Sequence, residues 1–297
     1  MTILKTANER FENLADYSFS ANYVEVASSL NMHFVDEGPE NGVLILMLHG
    51  EPTWSYLYRK MIPILANAGF RVIAPDLIGF GKSDKFLEKE AYSYQNHLKW
   101  LSTFIEKLDL RNITLVCQDW GGLLGLRLVA ENEHKFKGVC ASNTFLPIGK
   151  TNDVFLAWQE FSQTVPEFEV GKIVSMGCFK PLSDAEIAAY DAPFTDESYK
   201  AGARAFPMLV PTSLENEEAQ NNLRAWEIFK KFEKPFQANF GDNDPITISG
   251  NLRFQKLIPG CVGQNHEILP NGGHFIQEDC GEKWAELIIE FMKRNFN

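Results

Sequence analysis

One aspartate stands where the sequence predicts a sharp turn between a strand and a helix. Asp119 lies in Gln118-Asp119-Trp120-Gly121-Gly122, which follows the apolar run 113–117 and precedes the apolar helical run 123–129. In a nucleophile elbow, small neighbours let the chain bend and lift one side chain into a site. A carboxylate there can displace a leaving group from saturated carbon and leave an alkyl ester on the enzyme. We therefore take Asp119 as a candidate nucleophile, with a helix N-cap as the alternative interpretation.

Hydrolysis of such an ester needs a base, and His274 is the best candidate. It lies in the glycine-rich segment 271–275, just before the last predicted helix. Its place after the nucleophile and an acid matches the chain order of hydrolases with an elbow. Imidazole can take a proton from water near neutral pH. Structural roles suffice for the other histidines, which are His33, His49, His97, His134 and His266.

A third group should accept a hydrogen bond from the other imidazole nitrogen. The segment Gly241-Asp242-Asn243-Asp244-Pro245 follows a predicted strand and offers two carboxylates. We select Asp244 as the partner of His274 and interpret Asp242 as a turn residue.

The segment His49-Gly50-Glu51-Pro52 follows the predicted strand 43–48. In a fold with a nucleophile elbow, this loop supplies one backbone N–H to an oxyanion hole, and the residue after the nucleophile supplies the other. The predicted donors are the backbone N–H groups of Glu51 and Trp120. The glycine-containing segment 76–83 lacks the spacing of a phosphate-binding loop, and we interpret it as a turn that supports the core.

Short apolar runs separated by helical spacing predict a mostly parallel, doubly wound α/β sheet, to which two antiparallel strands are added near the start of the chain. Apolar residues on one side of the segment from Tyr94 to Leu108 predict a crossover helix. The predicted strands are Tyr23 to Ala27, Met32 to Val35, Val43 to Leu48, Arg71 to Ala74, Ile113 to Cys117, Val139 to Ala141, Pro235 to Phe240 and His266 to Leu269.

This alternation stops after Asn143, and we predict a helical cap over residues 146–225, inserted into a core made of residues 1–145 and 226–297. Ligands should lie at the carboxyl ends of the strands, beneath the cap. The predicted cap helices are Phe155 to Phe161, Val170 to Met176, Asp184 to Tyr190 and Ala219 to Phe229. Prolines should interrupt the intervals between them, at Pro166, Pro181, Pro193, Pro207 and Pro211, and a helix from Trp284 to Phe291 should close the chain.

Composition excludes several classes of protein. The 297 residues carry 28 basic and 39 acidic side chains, a net charge of −11, so nucleic acid and anionic membranes are poor partners. The longest apolar run, Val43 to Leu48, is far shorter than the roughly 18 residues of a membrane helix. Five widely spaced cysteines and an N-terminus without a secretory signal indicate a cytoplasmic protein with free thiols.

Together these motifs resemble the haloalkane dehalogenases of the α/β-hydrolase superfamily over essentially the whole chain. The resemblance is carried by His-Gly-Glu-Pro-Thr-Trp-Ser-Tyr at 49–56, Asp-Leu-Ile-Gly-Phe-Gly-Lys-Ser-Asp at 76–84, Gln-Asp-Trp-Gly-Gly at 118–122 and Gly-Gly-His-Phe at 272–275. Cys117 departs from the elbow motif, which has glycine at that position. The resemblance implies hydrolysis of a carbon–halogen bond to an alcohol, a halide ion and a proton, without cofactor or metal, and we expect a monomer.

The resemblance also implies two indole donors for the departing halide. Trp120 is the first. With a glutamate at position 51, the sequence resembles the subfamily that takes its second donor from the cap. We nominate Trp158 for that role, with Trp226 as a fallback and core packing of Trp158 as the alternative. Cap aromatics and a methionine should exclude water from the site: Phe155, Phe161, Phe168, Phe179, Phe206 and Met176.

Two other functions stay open at this level. An epoxide hydrolase also uses an aspartate and a histidine, and it activates the substrate oxygen with cap tyrosines, for which Tyr190 and Tyr199 are available. Gln118 and Glu51 weigh against it. A noncatalytic ligand-binding protein of the same fold has no need of Asp119, Asp244 and His274 in reacting order.

Overall fold

Eleven strands are present in the computed structural model, which describes residues 1–247 and 249–296. Seven of them form the central sheet, in the order β2-β3-β5-β4-β7-β8-β9. The strands are β1 (Ile3–Leu4), β2 (Asn22–Ala27), β3 (Leu30–Glu37), β4 (Val43–Leu48), β5 (Phe70–Pro75), β6 (Lys85–Phe86), β7 (Ile113–Gln118), β8 (Phe136–Ser142), β9 (Phe236–Ala238), β10 (Phe240–Gly241) and β11 (Ile268–Leu269).

Helices cover both faces of the sheet and the edge at which the site lies. They are α1 (Ile62–Asn67), α2 (Tyr94–Lys107), α3 (Trp120–Glu131), α4 (Asp153–Thr164), α5 (Val170–Gly177), α6 (Asp184–Asp191), α7 (Ala201–Leu209), α8 (Glu217–Phe229), α9 (Gly250–Leu257) and α10 (Ile276–Phe296). None of the helices in the described chain has both the length and the apolar character needed to cross a bilayer.

The sheet confirms the predicted fold class. β2, β3 and β5 pair antiparallel, and every other neighbouring pair in the central sheet is parallel. The middle strands are continuous apolar runs because they are covered on both faces, which is the pattern of buried parallel strands. Parallel pairing brings the carboxyl ends of β4, β7 and β8 to one edge. The loops that follow these strands therefore meet at one place.

Glycine permits the close approach of α3 to this edge. A Cβ atom on Gly121 would lie 1.9 Å from the carbonyl oxygen of Leu48, at the end of β4. Only a residue without a side chain fits there. The first turn of α3 is thus held directly against the strand that precedes the 49–52 loop.

The segment 76–83 supports the core, as its sequence suggested. The carboxylate of Asp76 is fully buried and accepts hydrogen bonds from the backbone N–H groups of Ser55, at 2.7 Å, and Lys82, at 2.8 Å. It also lies 2.8 Å from Nδ1 of His33. Asp76 therefore ties strand β3 to the segments that contain Ser55 and Lys82.

Five helices, α4 to α8, lie between β8 and β9. The last of them packs against α3, where Arg127 pairs with Glu218 at 2.9 Å and donates to Asn222 at 3.0 Å. The predicted boundary between residues 225 and 226 falls inside α8. The extent of the cap stays a proposal, and the contacts of α8 favour a boundary between α7 and α8.

Three sequence predictions need correction. Pro207 lies inside α7 and does not interrupt it, because it stands in the last turn, where only the carbonyl group of Ala203 loses its intrahelical N–H partner. The predicted strand 235–240 is divided into β9, which pairs with β8, and β10, which pairs with β11. The final helix begins at Ile276 rather than Trp284 and bends at Cys280, where the backbone is non-helical (φ −134°, ψ 21°).

Candidate active site

The backbone at Asp119 has the geometry of a nucleophile elbow. Its φ of 49° and ψ of −126° are rare for a residue with a side chain, and such strain is found at functional sites. The carbonyl oxygen of Asp119 accepts hydrogen bonds from the N–H of Gly122 at 2.9 Å and from the hydroxyl of Thr144 at 2.8 Å. These two hydrogen bonds fix the turn between β7 and α3, one from within α3 and one from the segment that follows β8.

The loop after β4 contacts the same carboxylate. The backbone N–H of Glu51 donates to Oδ1 of Asp119 at 2.8 Å. In the described chain, the N–H of Trp120 makes no hydrogen bond to either carboxylate oxygen. One of the two predicted oxyanion donors therefore already contacts the acid in this structure.

The side chain of Glu51 is buried beside Asp119, and its Oε1 atom has no hydrogen-bond partner in the described part of the chain. Burial, and then the charge of Asp119, raise the pKa of Glu51 well above its usual value. The structure therefore favours the protonated acid at position 51.

Three predicted residues meet in one chain of contacts. Nε2 of His274 lies 3.5 Å from Oδ2 of Asp119, and Nδ1 lies 3.0 Å from Oδ2 of Asp244. Asp244 in turn accepts hydrogen bonds from the N–H of Ile246, at 2.9 Å, and from the hydroxyl of Thr247. Asp242 is exposed, as expected of a turn residue.

The two carboxylates control the charge of the imidazole. Burial by itself lowers the pKa of His274, but Asp244 and Asp119 on either side raise it to about 10. Burial by itself raises the pKa of Asp244, but His274 and Thr247 outweigh burial and hold this pKa below its usual value. In this state the ring is an imidazolium between two carboxylates. Loss of the charge on Asp119 would lower the pKa of His274 again.

Asn143 links the loops of this site, a role that sequence reasoning missed. Its Nδ2 donates to the carbonyl oxygens of Gly273, at 2.7 Å, and His274, at 3.2 Å, while its Oδ1 accepts from the N–H of Gly241 at 2.9 Å. The available signal was its position, because Asn143 follows the buried strand β8 at the same sheet edge as Asp119. Its φ of 37° turns the chain at that point.

A cavity of about 260 Å³ lies between Asp119 and the cap. Apolar side chains form most of its cap wall, and these are Val154, Phe155, Trp158, Ile173, Met176 and Val210. Trp120 also lines the cavity, so the two nominated indoles share one space with Asp119 and His274. In the described chain, neither indole N–H donates to a protein atom. The described residues hold no group of three or more His, Cys, Asp or Glu side chains placed to bind a metal ion.

Comparisons with known proteins agree with this geometry. A family profile described as the alpha/beta hydrolase fold matches residues 43–279. A haloalkane dehalogenase of Psychrobacter cryohalolentis is 52% identical over 99% of both chains, and one of Mycolicibacterium paratuberculosis is 48% identical over 99% of both. The tetrameric structure of haloalkane dehalogenase DpaA from Paraglaciecola agarilytica superimposes with a TM-score of 0.91, at 37% identity, over 96% of this chain and 97% of that one.

The chain belongs to the haloalkane dehalogenase family.

The fallback indole is committed elsewhere in this haloalkane dehalogenase fold. Nε1 of Trp226 donates to the carbonyl oxygen of Leu146 at 3.0 Å, and the ring is buried against Phe254. Trp226 is not among the residues that line the cavity. Trp158 is partly buried, with its ring against Phe161 and Phe168. Trp158 therefore packs against cap aromatics, as the core-packing alternative predicts, and also lines the cavity.

The prediction that six cap side chains exclude water stays a prediction, and the structure places these side chains differently around the cavity. Phe155 lines the cavity, and Phe206 packs against the ring of Trp120 with centroids 4.6 Å apart. Phe161 and Phe179 are about two-fifths exposed, at 38% and 44%, and Met176 is 71% exposed at the cavity wall. The sequence carries no mark of which way a cap side chain faces, and of these three only Met176 is among the residues that line the cavity.

The cap tyrosines lie outside the cavity of this haloalkane dehalogenase family member. The hydroxyl of Tyr190 is buried and donates to Glu278, and that of Tyr199 donates to the carbonyl oxygen of Lys5 at 3.4 Å. No tyrosine of the described chain is among the cavity-lining residues. The feature that an epoxide hydrolase requires is thus missing from the described pocket.

Proposed function

We propose that this protein hydrolyses haloalkanes to an alcohol, a halide ion and a proton through an alkyl ester on Asp119. The observation that carries the proposal is the carboxylate of Asp119 at an apolar cavity. The cavity also contains the imidazole of His274 and two indoles whose N–H groups donate to no protein atom of the described residues. Membership of the haloalkane dehalogenase family supports the same reaction.

In the first step, an oxygen of Asp119 attacks the carbon that bears the halogen. The carbon–oxygen bond forms as the carbon–halogen bond breaks, and the electron pair leaves with the halide. Trp120 and Trp158 are the proposed donors to that growing negative charge, since an indole N–H donates and does not accept. An apolar wall leaves the carboxylate little water to shed before it attacks.

The second step needs a neutral His274. Once Asp119 is an ester, one of the two charges that raise the pKa of His274 is gone, and the ring releases its proton to solvent. It then takes a proton from water, whose oxygen adds to the ester carbonyl. The tetrahedral intermediate is stabilised by the backbone N–H groups of Glu51 and Trp120. As it collapses, the carbon–oxygen bond to the alkyl group's oxygen breaks, the proton of the added hydroxyl passes to that oxygen, and alcohol and a regenerated carboxylate result.

A second indole from the cap would place the protein in the subfamily with two tryptophan donors. Trp158 lines the cavity, whereas the N–H of Trp226 is occupied by Leu146, and these facts favour Trp158. The residue at position 51 is consistent with this choice because its side chain is an acid with a raised pKa and not an amide.

The experiment is to supply 1,2-dibromoethane and styrene oxide separately to the purified protein. We expect bromide release from the first and no diol from the second. In water labelled with oxygen-18, the carboxyl group of Asp119 should acquire the label over repeated turnovers. Turnover of the epoxide alone would transfer the assignment to an epoxide hydrolase, and bromide release without label in Asp119 would contradict the ester.

The expected ligands are a small halogenated alkane and a halide ion. A single chain supplies every proposed site residue, which is consistent with the predicted monomer, although the related DpaA structure is described as tetrameric. The mass of the protein in solution, 33.7 kDa or a multiple of it, decides this point.

A further inference from the structure

The loop that carries His274 rests on the cap as well as on the core. The backbone N–H of His274 donates to the carbonyl oxygen of Gly177, at the end of α5, at 2.7 Å. The approach is close, since a Cβ atom on Gly273 would lie 2.5 Å from that same oxygen. The position of the imidazole therefore depends on where the chain after α5 lies.

Asp279 joins these two segments. Its Oδ2 accepts hydrogen bonds from the N–H of Gly273, at 2.9 Å, and from the N–H of Phe179, at 2.8 Å, and its Oδ1 accepts from the N–H of Lys180 at 3.2 Å. One carboxylate thus bridges the residue directly before His274 and two residues of the cap. Charged acceptors of backbone N–H groups make the stronger kind of hydrogen bond.

The location of Asp279 makes this bridge independent of most of α10. It lies in the first turn, directly before the bend at Cys280. The body of the helix after the bend packs into the core through Trp284 and Leu287, both buried. Changes at Asp279 therefore act first on the loop and on the cap segment 177–180.

We propose that Asp279 is a positioning residue that holds the imidazole of His274 in register for ester hydrolysis, through its bonds to Gly273 and the cap. The inference rests on the function proposed above. Alkylation of Asp119 does not use the imidazole as a base, so loss of Asp279 slows the second chemical step and spares the first. A displacement of about 1 Å at a reacting group can cost about 100-fold in rate.

Two variants of Asp279 and one control test this. Asp279→Ala removes all three acceptor contacts. Asp279→Asn keeps one oxygen, which can serve Gly273 and Phe179, and places an NH₂ group toward Lys180. Glu282→Gln is the matched control, because Glu282 is exposed on the same helix and has no bond to the loop or the cap in the described chain.

The measurement is a rapid-quench reaction of excess enzyme with 1,2-dibromoethane. Bromide release gives the alkylation rate, and the mass of the Asp119 peptide gives the decay of the ester. We expect alkylation within about twofold of the parent in all variants, while ester hydrolysis falls about tenfold or more in Asp279→Ala and by less in Asp279→Asn. The control should match the parent in both steps.

Three results would overturn the proposal. Ester hydrolysis at the parental rate in Asp279→Ala removes the positioning role. An equal fall of both steps, together with a lower melting temperature, indicates a structural role alone. If Asp279→Ala does not fold, parental ester hydrolysis in Asp279→Asn counts against it equally. A parent protein that forms no ester would instead refute the proposed function, so the two failures are distinguishable.

Discussion

The side chains of Trp120 and Trp158, the two indoles of the cavity, are packed to different degrees by their neighbours. Trp120 is the first residue of α3, and its buried ring lies between Tyr94 and Phe206, at centroid distances of 5.4 and 4.6 Å. Trp158 is only partly buried, and its nearest ring, Phe161, is itself partly exposed. A donor that is fixed before the reaction needs no reorganisation when charge develops, so Trp120 should be the better preorganised of the pair.

Substitution of Trp158 by Phe should weaken halide binding. The change removes one N–H donor and keeps an aromatic ring, and a hydrogen bond to a charged group contributes about 1.5–3 kcal/mol, so the dissociation constant for bromide should rise about tenfold or more. Titration of the intrinsic fluorescence with bromide measures this. Trp226→Phe is the control, because its N–H is bound to Leu146 and not free for the halide. Equal affinity in Trp158→Phe and the parent would assign the second donor elsewhere.

At the residue scale, the sequence motifs predicted the candidate catalytic residues but not the residues that hold their loops in place. Asp119 is followed by a tryptophan and two glycines, and His274 is preceded by two glycines, which marks them in the sequence. Asn143 and Asp279 act through backbone atoms of distant loops, and any amide or carboxylate near a strand or helix end looks the same in the sequence. Their partners depend on the folded arrangement alone.

A buried ion cluster fastens helix α6 of the cap region to the core. The guanidinium of Arg59 pairs with Glu278 of α10 and, at 2.6 Å, with Glu186 of α6. Lys60 also reaches Glu278, at 2.9 Å, and the hydroxyl of Tyr190 donates to the same carboxylate. Because Glu278 is buried, removal of a cationic partner would leave its carboxylate without a neighbouring positive charge or with only one.

Arg59→Met should therefore destabilise the fold by about 3 kcal/mol or more, since it leaves a buried carboxylate with Lys60 as its main counterion. Unfolding in urea, followed by circular dichroism, gives the change in free energy. Arg111→Met removes an exposed pair with Asp109 and should change stability by less than about 1 kcal/mol. Equal effects of the two substitutions would show that burial of the cluster has no energetic consequence.

At the scale of elements, the sequence predicted the strands of the parallel sheet better than the cap. Buried strands are short and apolar throughout, so β4 has the predicted limits and β7 differs by one residue. Helix α7 was missed because its proline reads as a breaker, although it lies in the last turn. The first turns of α10 were missed because Glu278 and Asp279 interrupt its apolar spacing to bind Arg59 and the cap.

On the scale of the whole molecule, the charge of His274 links the site to stability. Its folded pKa, about 10, exceeds the unfolded value of about 6.5, so its contribution is complete below pH 6.5 and is lost as pH rises toward 10. Asp244 has the opposite sign, because its lowered pKa gives stability that is lost in acid. The pKa of buried Lys85 is lowered to about 7, so its unfavourable contribution to stability becomes smaller as pH rises.

The melting temperature of the parent should therefore fall relative to that of His274→Phe between pH 7 and pH 10. The difference between the two proteins cancels the contribution of Lys85, which is present in both. Differential scanning calorimetry at steps of one pH unit measures it. A difference that does not change over this range would mean that the imidazole is already neutral at pH 7.

The rim of the cavity has a practical consequence. Val154 and Met176 line the pocket, yet about half or more of each side chain, 47% and 71%, faces solvent. Side chains so exposed bury little apolar area and contribute little to folding. A combinatorial library confined to these two positions can therefore retune which alkyl tails are admitted, while the charged centre and the scaffold beneath it are left intact.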